Sequence, residues 1–180
     1  MLSAPIDLQK IPAHEIIEFL YGIFHRDFIK NKAYLAGNIY INPRRFRKDE
    51  DKEIDFWHLT TREVKEKEWV NGRPVWRVVD RYPDFDRASR LEWVKQILTN
   101  HDHECVKTFY HRETNKKKDI RLYLWAHADD FVVILQKLGR TSAFLVTSFY
   151  VDHQGKRDDY KSRYENYTDG DADLDGCEWF

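Results

Sequence analysis

Four apolar runs near the C-terminal end, ECVKTFYH, IRLYLWAH, FVVILQKL and AFLVTSFYVD, follow one another with only turn-rich or charged connections between them. β-Branched and aromatic residues dominate them, and each has the length of a strand. Connections this short favour an antiparallel meander over parallel pairing. The rest of the chain has to pack around that sheet.

Upstream the periodicity is helical. PAHEIIEFLYGIFHRDFIKNK places Ile16, Phe19, Leu20, Ile23 and Phe24 at helical spacing, with Pro12 near the start. FDRASRLEWVKQIL reads as one helix with Leu91, Val94, Ile97 and Leu98 on one side and Asp84 or Asp86 as cap. NIYINP is a short strand ended by Pro43, and IDFWHLTT reads as a strand or strand end. Asn71-Gly72 suits the tight turn of a hairpin. KRDDYKSRYENY closes the body as a short polar helix. The expected fold is α+β: N-terminal helices, an antiparallel sheet of four or more strands, and a short C-terminal helix. Residues 1–168 form a single domain on this reading, and residues 169–180 a flexible acidic tail.

Composition matters chiefly through charge. The net charge is −1, but Asp169, Asp171, Asp173, Asp175 and Glu178 all lie in the tail. Without those five, 30 basic face 26 acidic residues, a body of net charge +4. Basic clusters at 42–48 (NPRRFRK) and 115–121 (NKKKDIR) permit a phosphate-bearing ligand, although such clusters are commonly solvated loops. No apolar run approaches the length of a membrane span, and MLSAPIDLQK lacks the pattern of a secretory signal, so a cytoplasmic protein without a membrane partner is expected. Two cysteines, Cys105 and Cys177, suit a reducing compartment.

Three stretches carry chemistry. FLVTSFYV sets Thr147 beside Ser148 within an apolar strand. Neighbours on a strand point to opposite faces, so one hydroxyl shares a face with Leu145, Phe149 and Val151 and the other with Phe144, Val146 and Tyr150. FWHLTTRE places His58 within an apolar run and near Arg62. A histidine there is a satisfied core residue or a group that exchanges a proton near neutral pH. RYPDFDRASRLEW puts Arg87 and Arg90 one helical turn apart, where an anion can bridge them: Asp84, Asp86 or Glu92 from within, or a phosphate from outside.

Metal readings are weaker. His101, His103 and Cys105 are zinc ligand types at a spacing that matches no zinc pattern, and DGDADLDG opens like a calcium loop but lacks the closing Glu. No glycine-rich phosphate loop occurs, so neither cofactor nor metal is expected.

Together FWHL, RYPDFDRASRLEW, RLYLWA and FLVTSFYV, followed by a basic helix, resemble phage and bacterial nucleases of the barnase, EndoU, colicin and RelE type over roughly Phe56 to Tyr164. The resemblance implies a four-stranded antiparallel sheet with an RNA-cleaving site on its open face, metal-independent chemistry, and often a toxin role with an inhibitory antitoxin or immunity protein. It implies His58, Arg90 or Arg87, and Thr147 as catalytic residues. Arg62, Lys107, Ser148 and Tyr150 are further candidates for substrate contact. Barnase-like enzymes often use a Glu base, for which Glu92 is the nominee here. The expected activity is thus that of an endoribonuclease acting through the RNA 2′-hydroxyl. The alternatives are a non-catalytic RNA- or protein-binding module and a zinc hydrolase built on His101, His103 and Cys105.

Overall fold

A computed structural model describes residues 1–114, 117 and 119–180, so part of the basic run at 115–121 lies outside the described residues. The fold is α+β. The four apolar runs form strands β7 (Val106–Arg112), β8 (Ile120–Ala126), β9 (Phe131–Lys137) and β10 (Ser142–Tyr150), paired antiparallel in sequence order as expected. Two short strands, β1 (Tyr34–Leu35) and β2 (Ile39–Ile41), extend this meander to a six-stranded sheet of order β1-β2-β10-β9-β8-β7. The purely antiparallel sheet needs correction here, because β2 runs parallel to β10. That pairing joins segments a hundred residues apart and leaves no local trace in either.

Helices cover both faces of the sheet. Helix α1 (Ile16–Phe24) continues into a wider turn over His25–Lys30. With α2 (Ile54–Thr60) and α4 (Leu91–Thr99) it buries Leu20, Phe24, Phe56, Val94 and Ile97 against Leu122, Leu124, Val133 and Leu135. The other face carries Phe109, Tyr123, Trp125, Val132 and Ile134, packed against Tyr160 and Tyr164 of α5 (Gln154–Thr168). Among the described residues, side chains from helices pack on both faces of the sheet, unlike the open face the resemblance implies. The C-terminal helix is present and, at 15 residues, longer than the sequence pattern indicated.

Two local readings change. IDFWHLT is helix α2, where Thr60 and Thr61 turn their hydroxyls back onto the carbonyls of Phe56 and Trp57 at 2.7 and 2.8 Å. FDRASRLEWVKQIL is two helices, α3 (Phe85–Ala88) and α4, separated by Ser89 and by Arg90 at φ −108° and ψ 18°. Asp84 is the cap of α3, its carboxylate accepting from the Arg87 amide.

Between α2 and α3 the chain runs out and back as a long hairpin, β5 (Thr61–Val70) and β6 (Arg73–Pro83). Asn71 and Gly72 both have positive φ, the conformation a primed two-residue turn requires. A second small ribbon pairs β3 (Lys48–Asp49) with β4 (Lys52–Glu53). The hairpin is anchored at its base, where Arg81 lies over the Trp57 ring at 4.7 Å and bonds Asp49 and Glu63.

The acidic tail returns to the body. Leu174 is buried in the core, and the Trp179 amide donates to the Tyr110 hydroxyl at 2.8 Å. Among the described residues no helix is long and apolar enough to cross a membrane. Both cysteines are free thiols.

Candidate cleft on the free edge of the last strand

Pro43 follows β2 closely and has no amide hydrogen to donate, and β2 pairs only with Ser142 and Ala143 of β10. From Phe144 onward β10 is a free edge on that side. Helix α2, the start of β5 and helix α3 pack alongside it and leave a cleft. One half, of about 440 Å³, is lined by Trp57, His58, Thr61, Arg62, Glu63, Lys65, Arg87, Val146 and Thr147. The adjoining half, of about 380 Å³, is lined by Arg62, Asp84, Asp86, Arg87, Thr147, Phe149, Tyr150, Asp152 and Lys156. Arg62, Arg87 and Thr147 belong to both halves.

A β-bulge decides which hydroxyl reaches the cleft. Leu145 faces Leu135 and Thr147 faces Ile134, so Val146 has no partner and the alternation skips one residue. Beyond the bulge Ser148 shares the core face with Leu145 and Tyr150, not with Val146 as strict alternation requires. Ser148 is fully buried, and among the described residues its hydroxyl has no hydrogen-bond partner. Thr147 is half-buried and lines the cleft, with one long contact from its hydroxyl to the Ser148 carbonyl at 3.4 Å.

His58 stands in the last turn of α2. Burial lowers its pKa below 6.5, with Asp55 opposing that shift and Arg44 reinforcing it. The imidazole is therefore held neutral at physiological pH and can accept a proton. Asp55, one turn earlier, is fully buried; burial raises its pKa, and the bonded Arg44 guanidinium pulls it back.

Two guanidiniums share one carboxylate at the cleft. Arg62 donates to Asp84 Oδ2 at 2.9 Å, while Arg87 Nε lies 3.9 Å from the same oxygen. Arg87 Nη1 donates to the carbonyls of His58 and Thr61 at 2.7 and 3.4 Å, which fixes the side chain against the end of α2. Its Nε is buried and, among the described residues, has no hydrogen-bond partner. Burial lowers the Arg87 pKa, the mark of a cation short of compensating charge.

The half containing His58 holds Arg62, Lys65 and Arg87 against Glu63 alone. The other half sets Arg62, Arg87 and Lys156 against Asp84, Asp86 and Asp152. An anion is favoured in the first half. The 500 Å³ cavity on the far side of the hairpin base presents Asp49, Glu50 and Asp80 against Arg81 and suits an anion less.

Of the expected residues, His58, Arg62, Arg87 and Thr147 converge in the cationic half, and Tyr150 lines its neighbour. Arg90 lines neither half. Its guanidinium is stacked over Tyr150 at 4.5 Å and Trp93 at 5.2 Å, and Nη1 bonds the Asp86 carbonyl. Lys107 lies across the sheet over Trp125 and Tyr164, away from the cleft. Ser148 faces the core, and Glu92 accepts from Arg26 at 2.9 Å. The sequence reading missed Glu63, Lys65 and Lys156. A pair of charged residues opening a hairpin and a lysine in the first turn of α5 have no local signature of a site.

The His101 ring packs on Phe180 at 5.2 Å, and His103 Nδ1 accepts from the Cys105 amide. Among the described residues no group of three or more His, Cys, Asp or Glu side chains is arranged to hold a metal. Compared with known protein families, curated proteins and solved structures, the chain matches none.

Proposed function

We propose that this protein is a metal-independent endoribonuclease in which the 2′-hydroxyl of a bound RNA attacks the adjacent phosphate. The observation that carries the reading is the convergence of a neutral imidazole, two guanidiniums and a threonine hydroxyl from α2, β5, α3 and β10 on one cationic half-cleft.

In this reaction the O2′–P bond forms and the P–O5′ bond breaks. The proton leaves the 2′-oxygen for His58 and passes from the imidazolium to the departing 5′-oxygen. Glu63 is the weaker base, because bonds from Lys65 and Arg81 hold its pKa below 4.5. General acid–base catalysis of this kind contributes about 10²–10⁴-fold. Arg87 and Arg62 supply positive charge beside the phosphorus on which charge builds, with Thr147 next to them. Preorganised donors in a partly dehydrated cleft stabilise such charge more than water does. A toxin restrained by an inhibitory protein is the biological role this chemistry suits.

The test is incubation of wild type and His58→Ala with labelled RNA, and with DNA of the same sequence, in excess chelator. Wild type should cut RNA alone and leave 2′,3′-cyclic phosphate ends. His58→Ala should lose about a hundredfold or more. Chelator-sensitive cleavage, or undiminished activity of the variant, overturns the reading. Binding of RNA without any product favours a non-catalytic binding module.

A further inference from the structure

The β5–β6 hairpin projects both of its tryptophans into solvent: Trp69 is 66% and Trp76 is 64% exposed. Residues paired directly across an antiparallel ribbon share a face. The pairs Lys65–Val78, Lys67–Trp76 and Trp69–Pro74 therefore put both indoles and two lysines on one side. Glu66, Glu68, Val70, Arg73, Val75 and Arg77 occupy the other side, where Arg77 pairs with Glu68 at 2.9 Å. Charge is thus segregated. From Lys65 outward the tryptophan face carries no carboxylate, and Lys67 lies over the Trp69 ring at 4.9 Å.

A two-stranded ribbon this exposed buries little of its own surface, and indoles about two-thirds exposed add little stability by burial. Nor is the face isolated. Lys65 and Thr61, on the same side of β5, line the cationic half of the cleft. Trp69 stands eight residues beyond Thr61, roughly 26 Å of extended strand. The result is a stripe that leaves the cleft past Glu63, which is ion-paired to Lys65 at 2.8 Å, and runs through Lys65 and Lys67 to two aromatic platforms.

We propose that this hairpin face binds an extended single-stranded nucleic acid, stacking its bases on Trp69 and Trp76 while Lys65 and Lys67 neutralise its phosphates, and leads the strand into the cleft. Aromatic platforms alternating with cations are what sequence-tolerant single-strand binding requires, since every base has a π-face and every nucleotide a charge. An acidic or apolar peptide would meet one of these features but not use both. As a statement about substrate the proposal rests on the ribonuclease reading; as a statement about binding it stands apart from it.

The experiment measures binding of fluorescent oligo-uridylates of 4 and 15 nucleotides, and of the 15-nucleotide oligo-deoxythymidylate, by anisotropy. The protein is the His58→Ala variant with and without W69A/W76A or Lys67→Gln. W69A/W76A should weaken both 15-mers alike, by at least about 25-fold, because stacking ignores the sugar, and should leave the 4-mer, short enough for the cleft alone, nearly unchanged. Lys67→Gln should reduce the slope of log affinity against log salt by about 0.7. Wild-type cleavage of the long RNA is followed in parallel.

Equal 15-mer affinity with and without the tryptophans overturns the hairpin proposal, even if RNA is cut at His58. Tryptophan-dependent binding by a protein that cuts nothing sustains the hairpin proposal and overturns the ribonuclease reading. Failure to bind the 15-mers overturns the proposal and leaves the face to a protein partner. So does a wild-type dimer, seen by sedimentation, that W69A/W76A dissolves.

Discussion

His58 and Asp55 make the chemistry testable at the level of single protons. If the neutral imidazole takes the 2′-hydroxyl proton, cleavage falls as pH drops through its pKa. Burial lowers that pKa, so the acidic limb should fall below pH 6.5. Asp55 favours the imidazolium and opposes the shift. Asp55→Asn should therefore move the limb to still lower pH, as a rate profile on a short RNA will show; an unmoved limb would remove Asp55 from the site's electrostatics. Arg44 has a separate role, as the partner of a fully buried carboxylate. Removing one member of a buried pair leaves an uncompensated charge, at about 3–5 kcal/mol. The Asp55 pKa is raised in the folded protein, so folding takes up a proton there and stability falls as pH rises through the raised value. Arg44→Ala removes the interaction that restrains this rise. Urea unfolding should show the variant strongly destabilised at pH 7 and progressively less so as the carboxyl protonates on acidification. Residue types pointed to His58, Arg62 and Arg87, and the resemblance to Thr147. They could not reveal that Arg90 is occupied, because its stacking on Tyr150 joins two distant segments.

Elements set the geometry that single residues exploit. The strands of the meander were legible because alternation and β-branching are local properties. Helix α2 was not, since Phe56, Trp57 and Leu59 are equally apolar on either template and the helix is only seven residues long. The bulge at Val146 was not legible either, yet it turns Thr147 toward the cleft and Ser148 into the core. Helix α3 adds a test of its own. Asp84 caps it through the Arg87 amide and also neutralises Arg62. Asparagine caps as well as aspartate, and the partly exposed Arg62 pair contributes little to folding. Asp84→Asn keeps the cap but takes the neighbouring carboxylate from the buried Arg87, so the thermal midpoint should fall, while binding of inorganic phosphate, followed by calorimetry, tightens several-fold. Asp84→Ala should remove the same charge and also lose about 0.5–2 kcal/mol of stability with the cap. Unchanged phosphate affinity in both variants would show that the two arginines do not meet an anion.

Across the whole molecule, the tail packs on β7 and reaches the end of β9, where Lys137 lies over the Trp179 ring at 5.9 Å, whereas the cleft lies along β10. The tail passes β7, where Arg112 bonds the Asp173 carbonyl, and its last residues reach Tyr110 and His101. The cleft follows β10, three strands away in the sheet order, roughly 14 Å at ordinary strand spacing. A run of carboxylates beside a basic body invites the idea that the tail lies over the phosphate site and masks it, and charge counting cannot separate that idea from simple docking. Packing separates them, because Leu174 is buried in the core and Trp179 lies against it. Truncation after Asp169 should thus act on folding. Exposing a buried leucine and part of an indole costs on the order of 2–3 kcal/mol, or roughly 4–12 °C in the midpoint of a chain this size. Well below that midpoint, RNA affinity and cleavage rate should match the full chain. A truncated protein that melts at the same temperature but binds RNA several-fold more tightly would show instead that the acidic segment spends its time over the cleft.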